Sequence, residues 1–301
     1  SAEMKLEAQT GIFCRGLGYN EIITYSFTSP SAFDQIRLPK DSPLRNCLRI
    51  QNPLGEDTSV MRTIALPSMM DILARNSAYH NKAAKFYEIA KVYLPTEGQV
   101  LPQEPKKLLL GTYGAGETFF TLKGEIEAIL KGLRVLPVEY TAEKSNPSYH
   151  PGRCAVLSID GENVGVMGQV HPLVVKNYGM DCEVYCAELN LSRLMQLRLP
   201  DPTYTPLPKY PAVTRDLALV CDEDVTVAQA EKVIAAAAGK LLRDVRLFDI
   251  YRGTGVPTGK KSMAFSLELR SDERTLTDSD SESVMNKVLS ALKNDLNAVL
   301  R

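Results

Sequence analysis

Residues 211–301 carry the pattern that most constrains the fold, because six short elements follow one another there in a recognisable order. Three runs alternate apolar and polar side chains as half-buried strands do: Arg215–Val220, Leu241–Tyr251 and Lys260–Arg270. The first run is followed by the alanine-rich segment Thr226–Ala238, which Gly239 closes as a helix C-terminus. After the third run, Thr277–Asp280 fits a capping box at the start of a second helix, and Ala298–Arg301 suits a short closing strand. The order β-α-β-β-α-β predicts a ferredoxin-like domain, a fold that by itself settles no function.

A proline-rich segment divides this domain from the residues before it. Residues 199–211 contain five prolines, which lack a backbone N–H and disfavour helix, so we predict an extended connector there. The sequence therefore predicts a first domain at 1–198 and a second at 212–301.

The first domain mixes strands with helices. Strands are predicted at Glu21–Phe27, Lys85–Leu94, Lys107–Tyr113 and Glu183–Asn190, with a hairpin of Cys154–Ile159 and Asn163–Val170 that turns at Asp160 and Gly161. Helices are predicted at Glu3–Leu17, Leu66–Tyr79 and Thr121–Leu133. Because the strands follow one another without regular crossover helices, the prediction is an antiparallel α+β module.

The composition argues against several classes of function. The net charge of −1, from 35 basic and 36 acidic residues, disfavours a strong sequence-independent binder of nucleic acid. No apolar run reaches membrane-spanning length and no signal peptide opens the chain, so we expect a cytoplasmic protein without membrane association. The six cysteines and three histidines lack the spacing of a metal site, so we expect reduced thiols and no bound metal.

Several motifs in the chain occur together in one known family. Four of them lie in the C-terminal domain: Pro208–Val220, Leu247–Gly253, Gly259–Phe265 and Arg274–Asp278. Through them this domain resembles the ferredoxin-fold anticodon-binding domain that ends the β subunit of bacterial phenylalanyl-tRNA synthetases. The earlier residues resemble the catalytic-like module of the same subunit, through Gly18–Phe27, Asn52–Thr63, Leu66 and Pro67, Phe86–Tyr93, Phe119–Gly124, His150–Arg153 and Gly168–Pro172. The chain departs from the family's pattern at Ala90, usually a glycine, and at Thr118 and Phe119, commonly a tryptophan–aspartate pair.

The resemblance implies a class II synthetase-like antiparallel sheet module with helices, followed by a ferredoxin-like βαββαβ domain. It implies that the first module copies the class II catalytic fold without its activity. We therefore expect no catalytic residue and no cofactor in this chain, while the whole enzyme uses ATP and Mg²⁺. The implied partners are the α subunit of an (αβ)₂ enzyme and tRNA-Phe, with no DNA. We expect that the isolated chain can form a homodimer.

Arg62 and the glycine-rich run Gly111–Glu117 come nearest to a class II active site. Such a site needs an arginine on a strand and a late glycine-rich element that ends in a second arginine. No arginine follows Gly111–Glu117, which also fails the dinucleotide-binding and phosphate-loop patterns, so we predict a loop there. We predict that Arg62 pairs with a carboxylate such as Glu88.

The α-subunit interface is expected to be more apolar than ordinary surface. The candidate region contains Met61, Met69, Met70, Ile72 and Leu73, with plain core as the alternative, since methionine and leucine fill cores as readily as interfaces.

Asp249, Tyr251 and Ser262 form the candidate site for an anticodon base. Regular alternation along Leu241–Tyr251 places Asp249 and Tyr251, with Leu247, on one face and Phe248 and Ile250 on the core face. An exposed ring can stack on an unpaired base while a carboxylate and a hydroxyl bond the base's edge. The matching positions in the family contact the first anticodon base, guanine in tRNA-Phe.

Basic residues near this site are expected to hold the tRNA backbone. Arg252, Lys260 and Lys261 are the candidates, with Arg243 and Arg246 in the same stretch. From Leu207 onward 14 basic residues face 14 acidic ones, so the prediction requires the basic residues to cluster. Asp222–Asp224 and the acids between Asp272 and Glu282 lie away from the loop in sequence.

Two other functions remain open at this point. A ferredoxin-like regulatory protein would bind a small molecule at a strand edge, with the loop Gly253–Gly259 as its site. A self-sufficient class II ligase would bind ATP and an amino acid. The missing second arginine counts against the ligase, and the long match to one subunit counts against the regulator.

Overall fold

Two units make up the fold, Ser1–Asp201 and Pro202–Arg301. The computed structural model describes all 301 residues, Ser1–Arg301. The boundary between the units falls inside the predicted proline-rich connector. None of the helices is long and apolar enough to cross a membrane.

The first unit is built on a seven-stranded sheet with the order β1-β4-β5-β9-β8-β7-β6. Its strands are β1 (Asn20–Glu21), β4 (Ala84–Lys91), β5 (Lys106–Tyr113), β6 (Glu139–Ala142), β7 (Tyr149–Ile159), β8 (Glu162–Val170) and β9 (Val184–Asn190). Only β1 and β4 run parallel, and every other neighbouring pair is antiparallel, as predicted. A separate small ladder joins β2 (Phe27–Thr28) to β3 (Val60–Met61).

Helices cover both faces of this sheet. They are α1 (Ala2–Gly16), α2 (Ser31–Gln35), α3 (Leu66–Ala78), α4 (Phe119–Gly132), α5 (Pro172–Asn177) and α6 (Leu191–Gln196). Successive residues of β5 enter different cores: Leu108 and Leu110 join one buried cluster with α1, α4 and α6, and Leu109 joins another with α3. Helix α3 approaches closely at Gly111, where a Cβ would lie 2.6 Å from the Cγ of Met69. The sheet is therefore the middle layer of a three-layer module.

Most predicted elements of the first unit are confirmed within two or three residues, but the strand predicted at Glu21–Phe27 is wrong. Ladder pairing stops after β1, where the N–H of Ile22 donates to the carbonyl of Tyr87. The backbone N–H of Thr24 then donates to the Glu88 carboxylate at 3.1 Å, instead of to a neighbouring strand. A side chain thus takes over a backbone donor of the would-be strand, which alternation alone does not reveal.

The second unit has the predicted ferredoxin-like topology. It contains β10 (Val213–Asp222), α7 (Val227–Ala238), β11 (Leu242–Tyr251), β12 (Lys260–Leu269), α8 (Asp278–Leu296) and β13 (Val299–Leu300). The four strands form an antiparallel sheet in the order β11-β12-β10-β13. The predicted capping box is confirmed, since the Thr277 side chain accepts from the Asp280 N–H and the Asp280 carboxylate accepts from the Thr277 N–H.

The core of the second unit lies between this sheet and its two helices. Leu217 of β10 and Phe265 of β12 pack there with Ile234 of α7 and Val288 of α8. We call the opposite face of the sheet, away from both helices, the outer face. Residues of β12 between the core residues, such as Ser262 and Ala264, therefore lie on the outer face.

The alternation predicted along β11 is wrong at its centre because the strand contains two β-bulges. Leu247 lies opposite the core residue Phe265 and packs against the core, whereas Asp249 lies opposite Ala264 on the outer face. Phe248 is the inserted residue between them. Contrary to the prediction, 54% of Phe248 is exposed, and Ile250 is 38% exposed and lies outside the core.

Candidate functional site

The strand pairing brings the three predicted base-reading residues onto the outer face of the C-terminal sheet. Tyr251, the last residue of β11, lies directly opposite Ser262, and Ser262 lies opposite Val220 of β10. One row further along, Asp249 lies opposite Ala264, which pairs with Ala218. A ring and a carboxylate thus flank a floor of small side chains.

The three residues differ in how accessible they are. Tyr251 is 37% exposed and Asp249 is exposed, but only 3% of Ser262 is exposed. The guanidinium of Arg301 lies 4.9 Å from the centre of the Tyr251 ring, and the Tyr251 hydroxyl donates to the carbonyl of Thr254 at 3.5 Å. In this conformation one face of the ring is already occupied by a cation.

The three cations expected to hold phosphates are all bonded within the domain. Lys260 forms an ion pair with Asp222 at 2.7 Å, and Arg252 forms one with Glu223 at 2.5 Å. Lys261 is only 8% exposed, and its Nζ donates to the Glu223 carbonyl at 2.8 Å. The hydrogen bond from Arg252 lowers the pKa of the Glu223 carboxyl below its usual range.

These contacts test the requirement that the basic residues of the neutral C-terminal domain cluster apart from its acids. The acids at Asp222–Asp224 lie far from the loop in sequence, but antiparallel pairing of β10 with β12 places Asp222 opposite Lys260. The basic cluster is therefore offset by neighbouring acids, and the expectation that it stands apart from them is wrong. The contact depends on the register between β10 and β12, in which Asp222 lies opposite Lys260 although nearly 40 residues separate them in sequence.

Two residues that sequence reasoning did not assign to the site lie beside it. Arg246 of β11 lies opposite Ser266 on the outer face and is exposed. Phe248 is exposed because of the bulge. Arg246 belonged to the basic stretch identified in the sequence, whereas nothing in the sequence signals the bulge.

In the first unit, the prediction that Arg62 pairs with Glu88 is confirmed. The two side chains are 3% and 4% exposed and lie 3.3 Å apart. Arg62 also donates to the Thr24 hydroxyl and to the carbonyl of Lys91. All these bonds hold Arg62 inside the fold, so it is not presented to a substrate.

The predicted loop Gly111–Glu117 is correct only in part. Its first three residues complete β5, and the turn itself follows at Gly114 and Gly116, both with positive φ. Thr118 then caps α4. The six cysteines are unpaired, and no three His, Cys, Asp or Glu side chains lie together in a group that could hold a metal ion.

The exposed apolar surface of the first unit differs from most of the predicted region. Met69, Met70 and Leu73 are completely buried in the core under α3, so for these three the alternative of plain core holds, whereas Met61 and Ile72 are half-buried. The exposed apolar residues of this region are Ile23, Tyr25, Phe27 and Leu54, at 90%, 79%, 42% and 101%. We call these four the apolar patch. Tyr25, Phe27 and Leu54 line a cavity of about 360 Å³.

Comparisons with known proteins cover both units. A family described as the phenylalanyl tRNA synthetase beta chain CLM domain matches residues 1–191. A second, described as the ferredoxin-fold anticodon binding domain, matches residues 208–301.

Relatives with known names match along nearly the whole chain. The phenylalanine–tRNA ligase beta subunit of Clostridium tetani is 44% identical over 287 residues, which is 95% of this chain and 36% of that protein. The subunit of the same name from Bacillus subtilis is 36% identical over 300 residues, 96% of this chain and 37% of that protein. The chain thus spans little more than a third of the length of these relatives.

Solved structures support the fold. The pyrrolysyl-tRNA synthetase of Desulfitobacterium hafniense matches 64% of this chain and 68% of its own, with a TM-score of 0.54 and 14% sequence identity. At that identity the match speaks for a shared synthetase-like fold alone.

Proposed function

The chain belongs to the phenylalanyl-tRNA synthetase beta chain family, and from that premise we propose that it serves as the non-catalytic C-terminal part of such a β subunit. The C-terminal domain binds the anticodon region of tRNA-Phe, and the first unit contacts the α subunit of an (αβ)₂ enzyme. The whole cytoplasmic enzyme attaches phenylalanine to tRNA-Phe with ATP and Mg²⁺, which the α subunit binds.

The observation that carries tRNA binding is the shared outer face of Asp249 and Tyr251, with Ser262 directly opposite the ring. An unpaired base stacks on Tyr251, and the Asp249 carboxylate accepts from the N1–H and N2–H groups of guanine. Because Ser262 is almost completely buried, its hydroxyl reaches the base only after the side chains that cover it move. A base that stacks on the ring face occupied by Arg301 also displaces that guanidinium.

Binding of the tRNA backbone requires that cations of this domain exchange their present partners for phosphates. Arg252 and Lys260 reach a phosphate if they leave Glu223 and Asp222, which are exposed or half-buried partners in contact with solvent. Such pairs typically contribute only about 0–1 kcal/mol, so a phosphate can compete for the cation. Lys261 is bonded to a backbone carbonyl and nearly buried, and it is the weakest of the three candidates.

The first unit has a structural role in this proposal. Its best candidate for a phosphate-binding arginine, Arg62, is held by Glu88, and both faces of its sheet are filled by cores. The chain alone should give no amino-acid-dependent ATP–pyrophosphate exchange. Exchange above background in a preparation free of host synthetase would favour a self-sufficient ligase instead.

The apolar patch is the surface best suited to the α subunit. Its four side chains are exposed, three of them line a cavity, and apolar surface of this kind is typical of obligate interfaces. Co-purification of the chain with a bacterial α subunit tests the contact. Tyr25→Asp should abolish co-purification, whereas Tyr79→Asp, at a 75% exposed position beyond the end of α3, should leave it intact. In the absence of α, the same patch should favour a homodimer.

The decisive experiment for the function is tRNA affinity of the enzyme reassembled with α. Stacking contributes about 1–3 kcal/mol per base, so Tyr251→Ala should weaken tRNA-Phe binding roughly 5- to 150-fold. Tyr204→Ala is the matched control, because Tyr204 is 88% exposed and lies outside the sheet. Wild-type affinity of a folded Tyr251→Ala enzyme would contradict the proposed site.

A further inference from the structure

Arg246 differs from the other cations near the anticodon-base site. Arg252 and Lys260 form ion pairs with acids, Lys261 donates to a carbonyl, and the Arg301 guanidinium lies over the Tyr251 ring. Arg246 is exposed on the outer face and forms no hydrogen bond or ion pair, although Asp244 and Asp249 lie on the same face of its strand. Its five N–H donors are therefore free to bind a ligand.

Phe248 lies between Arg246 and the anticodon-base site along the same strand. The bulge leaves Phe248 without a cross-strand partner, and 54% of its side chain is exposed. Leu247 keeps the place opposite Phe265 in the core, and the inserted Phe248 lies between Leu247 and Asp249, outside the core. An apolar ring of this size held in solvent has no role in the core of the domain.

We propose that Phe248 and Arg246 form a second nucleotide subsite, next to the one at Tyr251. The Phe248 ring stacks on a second unpaired base, and the Arg246 guanidinium binds that nucleotide's phosphate or base edge. The ligand is thus a stretch of at least two consecutive unpaired ribonucleotides. This proposal rests on the proposed anticodon-binding function and extends it by one nucleotide.

The dimensions of the strand agree with two nucleotides. From Arg246 to Tyr251 the strand advances five residues, one of them in the bulge, or roughly 14 Å at about 3.4 Å per residue. Ala264 and Ala218 form a floor of small side chains beside Asp249, and the Arg301 guanidinium, 4.9 Å from the centre of the Tyr251 ring, moves aside when a base stacks there. Four-stranded sheets with two aromatic side chains on an open face hold two or three stacked bases in other RNA-binding domains.

Arg246 is better suited to bind a nucleotide than Arg252 and Lys260, which are already paired with acids. Its planar guanidinium donates to a phosphate or to a guanine edge through two parallel bonds, and it also stacks on a base. Because Arg246 has no partner to give up, it binds RNA without first breaking an ion pair. Asp216, Asp244 and Asp249 also lie on the outer face, and Arg246 supplies an unpaired positive charge among them.

The test uses the enzyme reassembled with α and anticodon stem–loops that carry a single abasic nucleotide at each loop position in turn. Phe248→Ala and Tyr251→Ala should each weaken binding of the intact stem–loop about 5- to 150-fold. The loss caused by Tyr251→Ala should vanish with one abasic position, and the loss caused by Phe248→Ala should vanish with the position next to it. Phe248→Tyr should bind as wild type, and Phe248→Leu should bind as weakly as Phe248→Ala.

Arginine variants test the other half of the subsite. Arg246→Ala should weaken binding and lower the slope of log affinity against log salt by about 0.7. Arg243→Ala is the matched control on the same strand, since Arg243 is paired with Asp272 at 2.6 Å, and it should leave the slope unchanged.

Several outcomes would overturn the second subsite. One is wild-type binding by both Phe248→Ala and Arg246→Ala while Tyr251→Ala is weakened, which leaves the anticodon-base site standing. Another is full binding by Phe248→Leu, which would mean that Phe248 only covers the sheet. Equal losses from Arg243→Ala and Arg246→Ala would assign the effect to overall charge. If Tyr251→Ala also binds as wild type, the proposed function itself fails.

Discussion

At the residue scale, the chain shows where pairing can be read from sequence and where it cannot. The Arg62–Glu88 pair was predictable, because a buried arginine needs an acid and Glu88 lies on a neighbouring apolar run. The exposure of Phe248 was not, because alternation assumes a strand without insertions and a single bulge reverses the side chains that precede it. The face of Tyr251 was predicted correctly, because no further bulge separates it from Asp249.

Arg62→Ala should lower the stability of the first unit by about 3–5 kcal/mol, because it leaves the buried Glu88 carboxylate without its cation. Arg193→Ala should cost only about 0–1 kcal/mol, because Arg193 and its partner Glu162 are 34% and 45% exposed. Urea unfolding followed by circular dichroism measures both variants. Equal losses would show that burial of the Arg62–Glu88 pair has no energetic consequence.

Glu223→Gln should strengthen tRNA-Phe binding by the reassembled enzyme. The change frees Arg252 from its ion pair and removes a negative charge near the phosphates. If Arg252 then binds one more phosphate, the salt dependence of log affinity should steepen by roughly 0.7–0.9. Glu282→Gln makes the same change of charge on the exposed side of α8 and serves as control. The same gain in affinity from Glu282→Gln would assign the effect to net charge alone.

At the scale of elements, local signals predicted the helices and the longer strands of the second unit. Thr277 and Asp280 form the capping box that their spacing predicted, and β10, β11 and β12 begin and end within about two residues of their runs. The failures lie where a distant group intervenes, as the Glu88 carboxylate does at Thr24. The short ladder of β2 with β3 was missed because two-residue strands carry no periodicity.

The cap of α8 should make the second unit sensitive to acid. Hydrogen bonds from Arg274 and from Thr277 hold the pKa of Asp280 well below its usual range. A lowered folded-state pKa contributes stability above the unfolded value of about 3.9, and this contribution is lost as pH falls further. Asp280→Asn should therefore unfold at a lower temperature than wild type at pH 7 and approach wild type as pH falls below about 4.

Thermal melts at pH 7 and pH 3 check this prediction. Asp295→Asn is the control, since Asp295 lies exposed in the last turn of the same helix, where a negative charge opposes the helix dipole. It should melt at or slightly above the wild-type temperature at pH 7. A difference between Asp280→Asn and wild type that persists unchanged at pH 3 would show that the ionised Asp280 carboxylate is not the source of the stability.

At the scale of the whole molecule, the sequence predicted two domains because prolines interrupt both kinds of periodicity between them. The units divide at Asp201, inside the predicted 199–211 connector. The first unit includes 199–201, the first three residues of the predicted connector, for a local reason. The Leu199 N–H donates to the carbonyl of Arg134, and the Pro200 carbonyl accepts from the Arg134 side chain. Those contacts fasten 199–201 to the first unit, and no local pattern in the prolines reports them.

The same contacts predict where a protease cuts. Trypsin has two sites near the connector, after Arg198 and after Lys209. The bond after Arg198 is held by the Leu199 hydrogen bond, and Arg198 forms an ion pair with Asp201 at 3.0 Å. Lys209 is exposed, follows seven residues without helix or strand, and forms no ion pair. Brief digestion should therefore cut first after Lys209 and release a folded C-terminal unit, because that unit has its own hydrophobic core.

Lys209→Gln should abolish the early product, Arg198→Gln should leave it unchanged, and mass spectrometry distinguishes the two sites. Early cleavage after Arg198, or a released C-terminal piece without a cooperative thermal transition, would show that the two units do not fold independently.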